Sequence, residues 1–305
     1  MSRIEEALER AARMQKNTET RETAPAGQAP LSAPAAFPPP GMDGMDGAGV
    51  GDRIGTDYGP MSKGRKSYPR NMPVDTTLPG AANPMLATLS DPLSPVAEEY
   101  RKLKESLVKR TKKNGFRNTI MVTSATMGEG KSVTSANLAI SLAQEFDHTV
   151  LLIDADLRRP SLHRLFGLNP EIGLSDCLVE GRDVSEAFIR TGIGRLVFLP
   201  AGKPMPNPGE LFSSTMMRNI ILEMKHRYSD RYVIIDTPPV LPFAETRSLS
   251  HSVDGAIVVV KEGQVPLRSV EETVHALRET ELLGYVFNQA TATADTKYHY
   301  YYNYQ

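Results

Sequence analysis

Short apolar runs alternating with amphipathic stretches predict an α/β fold: a doubly wound, mostly parallel sheet in one domain over residues 94–290. The runs are Thr119–Thr123, Val150–Ile153, Leu196–Leu199, Tyr232–Ile235, Ala256–Val260 and Tyr285–Phe287. Each is short and continuously apolar, as strands covered on both faces must be. Helical periodicity separates them, most clearly over Lys131–Phe146, Gly209–His226 and Pro266–Leu282. Strand–helix alternation is the pattern of parallel sheets wrapped by helices, and a domain of about 200 residues buries enough surface to stand alone.

The chain begins differently. Residues 1–16 read as a short amphipathic helix, with Ser2 and Glu5 as a capping box and Ile4, Ala7, Leu8 and Ala11 on one stripe. Residues 17–93 hold 12 prolines and 10 glycines among 77 residues, and segments such as APAGQAPLSAPAAFPPP carry no apolar period. That composition predicts a disordered linker. Order is expected from Ser94, an N-cap followed by Pro95 at the first helical position. Val96, Tyr100, Leu103 and Leu107 then share a face, and Lys109, Arg110, Lys112 and Lys113 crowd the end where the helix dipole favours cations. Residues 291–305 form a polar, tyrosine-rich tail.

Composition excludes several classes. A formal net charge of −1 gives no global field that would attract nucleic acid. The single cysteine, Cys177, supplies neither a disulfide framework nor a thiolate metal site within one chain, and the 6 histidines are scattered without ligand spacing. Runs such as Ala256–Val260 are too short to cross a bilayer, and the N-terminus MSRIEEALER is too charged for a signal peptide. A cytoplasmic protein is expected.

Three motifs carry chemistry, each at the end of an expected strand, where ligands of this architecture bind. ATMGEGKS, Ala125–Ser132, has the spacing of a phosphate-binding loop with alanine at the opening glycine position. Gly128, Glu129, Gly130, Lys131, Ser132 and Val133 are the expected nucleotide-binding residues: glycines let backbone amides turn toward phosphates and a helix start adds its dipole. Lys131 would reach the β and γ phosphates, and the Ser132 hydroxyl would ligate Mg2+. In LLIDADLRRP, Asp154 and Asp156 lie two apart on an extended stretch and so point the same way. Two such carboxylates call for a cation, and magnesium, which takes few carboxylates plus phosphate oxygens, suits them. YVIIDTPPV ends an apolar run on Asp236, the Walker B arrangement. Ser132, Asp154 and Asp236 are the expected metal ligands, with ATP as nucleotide. Together the motifs predict a P-loop NTPase of the deviant Walker, partition-ATPase-like group.

The tail holds Tyr298, Tyr300, Tyr301, Tyr302 and Tyr304 beyond the last expected strand. Accessible phenols next to a γ-phosphate donor make phosphoryl transfer to tyrosine the economical reading. A partition or septum-placement ATPase of the same fold is the first rival; it would carry lysine where Thr126 stands. A nucleotide-binding scaffold whose tail recruits partners is the second.

With these residues, the sequence resembles the bacterial tyrosine autokinases of the polysaccharide co-polymerase type, in particular the stand-alone cytoplasmic form associated with exosortase and exopolysaccharide gene clusters. The likeness rests on SATMGEGKS, LLIDADLRRP, YVIIDTPPV, the segment PNPGELF at Pro206–Phe212 and the tyrosine tail. It implies that Lys131, Asp154, Asp156 and Asp236 are catalytic, a carboxylate of the Asp154/Asp156 motif helping to deprotonate the incoming tyrosine. It implies tail phosphorylation between subunits of a ring-like homo-oligomer. The family's Glu-x-x-Arg-x-x-Arg oligomerisation motif stands here as Glu98, Arg101 and Lys104, with lysine losing the bidentate pairing of arginine. It further implies a membrane activator related to chain-length regulators, hence a peripheral place at the inner membrane, and a cognate phosphotyrosine phosphatase.

Overall fold

The computed structural model describes residues 83–290 apart from 114, 146–147 and 227–229. The N-terminal helix, most of the linker and the tail tyrosines lie outside the described residues.

Strand β2, Thr149–Asp154, shows why the sheet is covered on both sides. Val150 and Leu152 enter one layer with Ile120, Val122 and Leu138; Leu151 and Ile153 enter the other with Val197, Leu199 and Val233. A continuous apolar run thus serves two cores through the two-residue period of a strand. Each fully buried aliphatic side chain stabilises by about 1.5–3 kcal/mol. The other strands are β1 (Thr119–Ser124), β3 (Ile189–Arg190), β4 (Leu196–Leu199), β5 (Arg231–Asp236), β6 (Gly255–Lys261) and β7 (Leu282–Asn288). They form a 7-stranded sheet in the order β3-β4-β2-β5-β1-β6-β7. Only the β3–β4 pair among these is antiparallel. The α/β expectation holds, and each anticipated apolar run lies in an observed strand. The two-residue edge strand β3 is too short to leave a pattern.

The helices are α1 (Ala87–Ser90), α2 (Pro95–Thr111), α3 (Lys131–Ala143), α4 (Leu162–Leu165), α5 (Leu174–Glu180), α6 (Gly209–Ser213), α7 (Thr215–His226), α8 (Ala244–Ser250) and α9 (Leu267–Ala276). Three expectations need correction. Order begins by Asn83, not Ser94: Leu86 is fully buried, and Thr88 N and Oγ1 donate to Asn137 Oδ1 on α3 at 3.1 and 2.9 Å. A proline-rich composition masked this docking, which depends on one leucine and a buried amide. The stretch Gly209–His226 is two helices, because Ser214 is extended and its Oγ caps the second by accepting from Met217 N at 3.1 Å. The third helix ends near Ala276, leaving Leu282 to open β7.

On α2 the Ser94 cap forms as expected, Oγ accepting from Ala97 N at 3.2 Å. Ala97 and Leu107 face the core, while Val96 is exposed. Among the described residues, no helix is long and apolar enough to cross a membrane.

Candidate functional site

The parallel strands end on one edge, and β1, β2 and β5 deliver the three motifs there side by side. Asp154 and Asp236 are register partners at the ends of β2 and β5. Beyond β1 the chain turns through the loop Ala125–Gly130 into α3. Gly128 and Gly130 hold φ of 81° and 92°, left-handed values that glycine adopts at little cost. The loop is braced from inside. Glu129 Oε1 accepts from Thr126 N at 2.5 Å and from Thr126 Oγ1 at 3.0 Å, and Oε2 accepts from Lys261 N at 3.4 Å. From β7, Asn288 Nδ2 donates to the Glu129 carbonyl at 2.8 Å; from the turn after β6, Gln264 Nε2 reaches the Met127 carbonyl at 3.5 Å. Thr126, at the position that is lysine in the partition switches, is spent on this brace. Asn288 and Gln264 escaped sequence reasoning, although a polar residue closing an apolar strand run was a usable signal at Asn288.

Lys131 opens α3, and its Nζ lies 2.8 Å from Asp156 Oδ2 and 3.4 Å from Ser132 Oγ. Burial works against the charged ammonium, and the Asp236 and Asp156 carboxylates more than reverse it, holding Lys131 above its ordinary value. Val133, on the same first turn, is half-buried, and its carbonyl accepts from Asn137 Nδ2 at 2.9 Å.

Asp236 Oδ1 accepts from Ser135 Oγ at 3.1 Å, while its Oδ2 is buried with no hydrogen-bond partner. The Ser132 hydroxyl also interacts with this carboxylate, and an orphaned carboxylate oxygen beside that hydroxyl is a hard, all-oxygen donor set, suited to Mg2+ or a water bound to it. Asp236 and Ser132 therefore fit the ion. Asp154 is more committed: Oδ2 accepts from Ser161 N and Leu162 N at 3.2 and 3.1 Å, and Oδ1 from Asp156 N at 3.2 Å. One oxygen thereby fixes the start of α4, and only Oδ1 retains a lone pair for a ligand. Asp156 accepts from Arg159 N through Oδ1 at 3.1 Å and holds Lys131 through Oδ2.

Burial, then Asp236, raises the Asp154 carboxyl to about 7. The fold therefore holds this proton more tightly than the unfolded chain does. The resulting stability is complete below the unfolded carboxylate range of ~3.9 and is lost as pH rises through about 7. In EDTA, urea unfolding between pH 5 and 7 should show a loss of up to ~1.4 kcal/mol per pH unit as the buried Asp154–Asp236 pair gives up a proton. Asp154→Asn should lack that component, and identical pH slopes in the two proteins would remove the argument.

The expected assembly residues lie on α2. Glu98 and Arg101 pair with each other at 2.6 Å, and Arg101 Nη1 also donates to Pro92 O at 2.8 Å. Lys104 turns inward to Glu145 at 2.6 Å and is mostly buried.

A protein-family model described as "ParA: NUBPL iron-transfer P-loop NTPase" matches residues 115–304. The tyrosine-protein kinase YwqD of Bacillus subtilis (strain 168) is 34% identical over 215 residues, 70% of this chain and 89% of YwqD. The chain belongs to the bacterial tyrosine kinases. Among solved structures, the kinase domain of the Escherichia coli tyrosine kinase ETK is similar with a TM-score of 0.64 and 31% identity, over 69% of this chain and 82% of that one. The chimerical protein CapA2B2 matches with a TM-score of 0.64 and 29% identity, over 68% and 91% of the two chains. The resemblance read from the motifs holds, and the kinase carries the P-loop NTPase fold. The lone cysteine of the kinase, Cys177, lies on α5 and is fully buried in the core.

Proposed function

We propose that the kinase transfers the γ-phosphoryl group of ATP to its C-terminal tyrosines, Tyr298, Tyr300, Tyr301, Tyr302 and Tyr304, acting between subunits. The observation that carries this reading is the meeting of Lys131, Ser132, Asp154, Asp156 and Asp236 at one sheet edge, in a chain 34% identical to a tyrosine kinase. The amides of Gly128–Val133 and the start of α3 hold the phosphates, and Lys131 leaves Asp156 to neutralise charge on the transferred group. Asp236 and Ser132 would hold Mg2+, which would neutralise the phosphate oxygens. The phenol oxygen bonds to the γ phosphorus as the bond to the β–γ bridging oxygen breaks, its proton passes to the Asp154/Asp156 pair, and ADP leaves. A free phenol titrates near ~10, so a carboxylate that titrates near neutrality is a useful acceptor.

In this reading Glu98 and Arg101, with Lys104 anchoring α2 through Glu145, contribute to a ring-like homo-oligomer that brings one tail to the next site. A membrane protein of the chain-length-regulator type activates the kinase and holds it peripherally at the inner membrane, a phosphotyrosine phosphatase resets it, and the output is control of exopolysaccharide synthesis or export. Each phosphate adds about −1.5 to −2 charges, so a multiply modified tail is repelled by the acidic edge and the assembly loosens.

The test mixes wild-type chain with 15N-labelled Lys131→Met chain and ATP, followed by phosphopeptide mass spectrometry. Heavy phosphopeptides confined to Tyr298–Tyr304 are expected. Light phosphopeptides alone would overturn transfer between subunits, and ATP hydrolysis without any modification would favour the partition-type switch.

A further inference from the structure

Loops that continue from β2, β4 and β5 border an open cavity of about 390 Å³. Its wall includes Arg158, Asn207, Glu210, Phe243 and Glu245. Sheet order sorts these loops from the phosphate loop: β4, β2 and β5 lie on one side of β1, and β6 and β7 on the other. The loop braces Gln264 and Asn288 come from the β6–β7 side. Asp154, Asp156 and Asp236 stand between, on or just beyond the two strands that run on into the cavity wall. The PNPGELF segment, which no step above uses, supplies Asn207 and Glu210 to that wall.

The wall has a defined chemistry. Arg158 Nε donates to the buried Glu245 Oε1 at 2.5 Å, and Nη1 donates to the Pro206 carbonyl at 2.6 Å. Its guanidinium carbon lies 4.6 Å from the centroid of the Phe243 ring. Two anchors and a stacked ring fix the guanidinium plane and leave other N–H donors of its fork for a ligand. Phe243 offers an aromatic surface to an edge-on or offset ring. An anion fits poorly, because Glu245 offsets the charge of Arg158 and Glu210 adds a second carboxylate. A neutral aromatic side chain with a hydroxyl fits well, and the volume is at the small end of ligand pockets, ~300–1,000 Å³.

We infer that this cavity is the acceptor subsite of the kinase, receiving the phenol ring of a tail tyrosine on the side of the carboxylates opposite the phosphate loop. The inference rests on the kinase reading above. The chain is long enough: Tyr298 lies ten positions beyond Asn288, a stretch that spans up to ~33 Å when extended. The sheet from β7 to β2 is four strand spacings wide, roughly 19 Å. Both a neighbour's tail and the chain's own therefore satisfy the reach. Once phosphorylated, the ring carries charge that Glu210, Glu245 and the aspartates repel, so the subsite that accepts the phenol rejects the product.

The experiment uses full-length chain and reads two quantities: the initial rate of tail phosphorylation and the affinity for a fluorescent ATP analogue. Phe243→Ala should slow tail phosphorylation roughly tenfold, the loss of one aromatic contact, with nucleotide affinity within about twofold of wild type. Phe243→Tyr should restore the rate. Asn207→Trp, at an exposed position where folding tolerates change, fills the cavity and should match Phe243→Ala; it stands in for that variant if Phe243→Ala does not fold. Wild-type rates in both variants overturn the subsite, as does a loss of nucleotide affinity, which would assign the cavity to the donor. Absence of tail phosphotyrosine in the wild type itself overturns the kinase reading, and the subsite with it.

Discussion

A chain carrying Lys131→Met should phosphorylate its tail at no more than ~1% of the wild-type rate, the size of effect that removal of one preorganised charge stabiliser produces. Lys131 Nζ is 2.8 Å from Asp156 Oδ2, and Asp236 and Asp154 add to the field that keeps it charged. Methionine preserves the length of the side chain and removes its charge. The γ-phosphoryl group then meets three aspartates without the ammonium that helps to offset them. The same change leaves those carboxylates uncompensated in the nucleotide-free protein, so the urea midpoint should also fall at pH 8, where they are most ionised. Phosphotyrosine mass spectrometry alongside a unfolding curve separates the two effects. Tail modification at a tenth of the wild-type rate or more would remove Lys131 from the chemistry.

The second large effect is expected from Gly130→Ala. At φ of 92° a β-carbon is strained by roughly 1–2 kcal/mol, and here it would also stand 2.0 Å from Asn288 Nδ2. Asn288 must then leave the Glu129 carbonyl, losing a bond worth about 0.5–1.5 kcal/mol. If the loop keeps its shape the cost is read in stability; if it relaxes, the amides lose the phosphates and the cost is read in affinity. The combined loss should reach ~2–3 kcal/mol, up to about a hundredfold if it falls entirely on nucleotide binding. Adding Asn288→Ala removes the clash but not the backbone strain, so the double variant should recover only part. An alanine variant unchanged in both urea midpoint and nucleotide affinity would contradict the brace.

The legible parts of this molecule are those whose physics is local in sequence. Val150–Ile153 announces a doubly covered strand by its unbroken apolar run, and Asp154, Lys131 and Asp236 announce the site because chemistry sits where such runs end. The braces were not legible. Asn288 is 159 residues from the carbonyl it holds, and only the pairing of β6 with β7 beside β1 brings the two together. Glu129 read as a nucleotide contact from its place in the loop; in the fold its backbone lines the loop and its carboxylate turns back to Thr126 and Lys261. Ser214 carried a usable cap signal inside what read as one long helix. Met85 and Thr88 had none, because their partner Asn137 lies on the far side of the phosphate loop in sequence. The partition of the edge into a donor side and a cavity side follows from strand order, which no local pattern encodes.

Cys177 has a practical corollary. Burial, then the neighbouring Asp176, pushes its thiol up to about 11, and no part of it is exposed. At neutral pH it is a poor nucleophile, so the natural chain is already a silent background for thiol labelling. A cysteine introduced at exposed Met127 in the phosphate loop, or at Glu210 on the cavity rim, would be the one site a maleimide dye reaches. Donor and acceptor sides could then be watched separately, by fluorescence, as nucleotide and tail arrive.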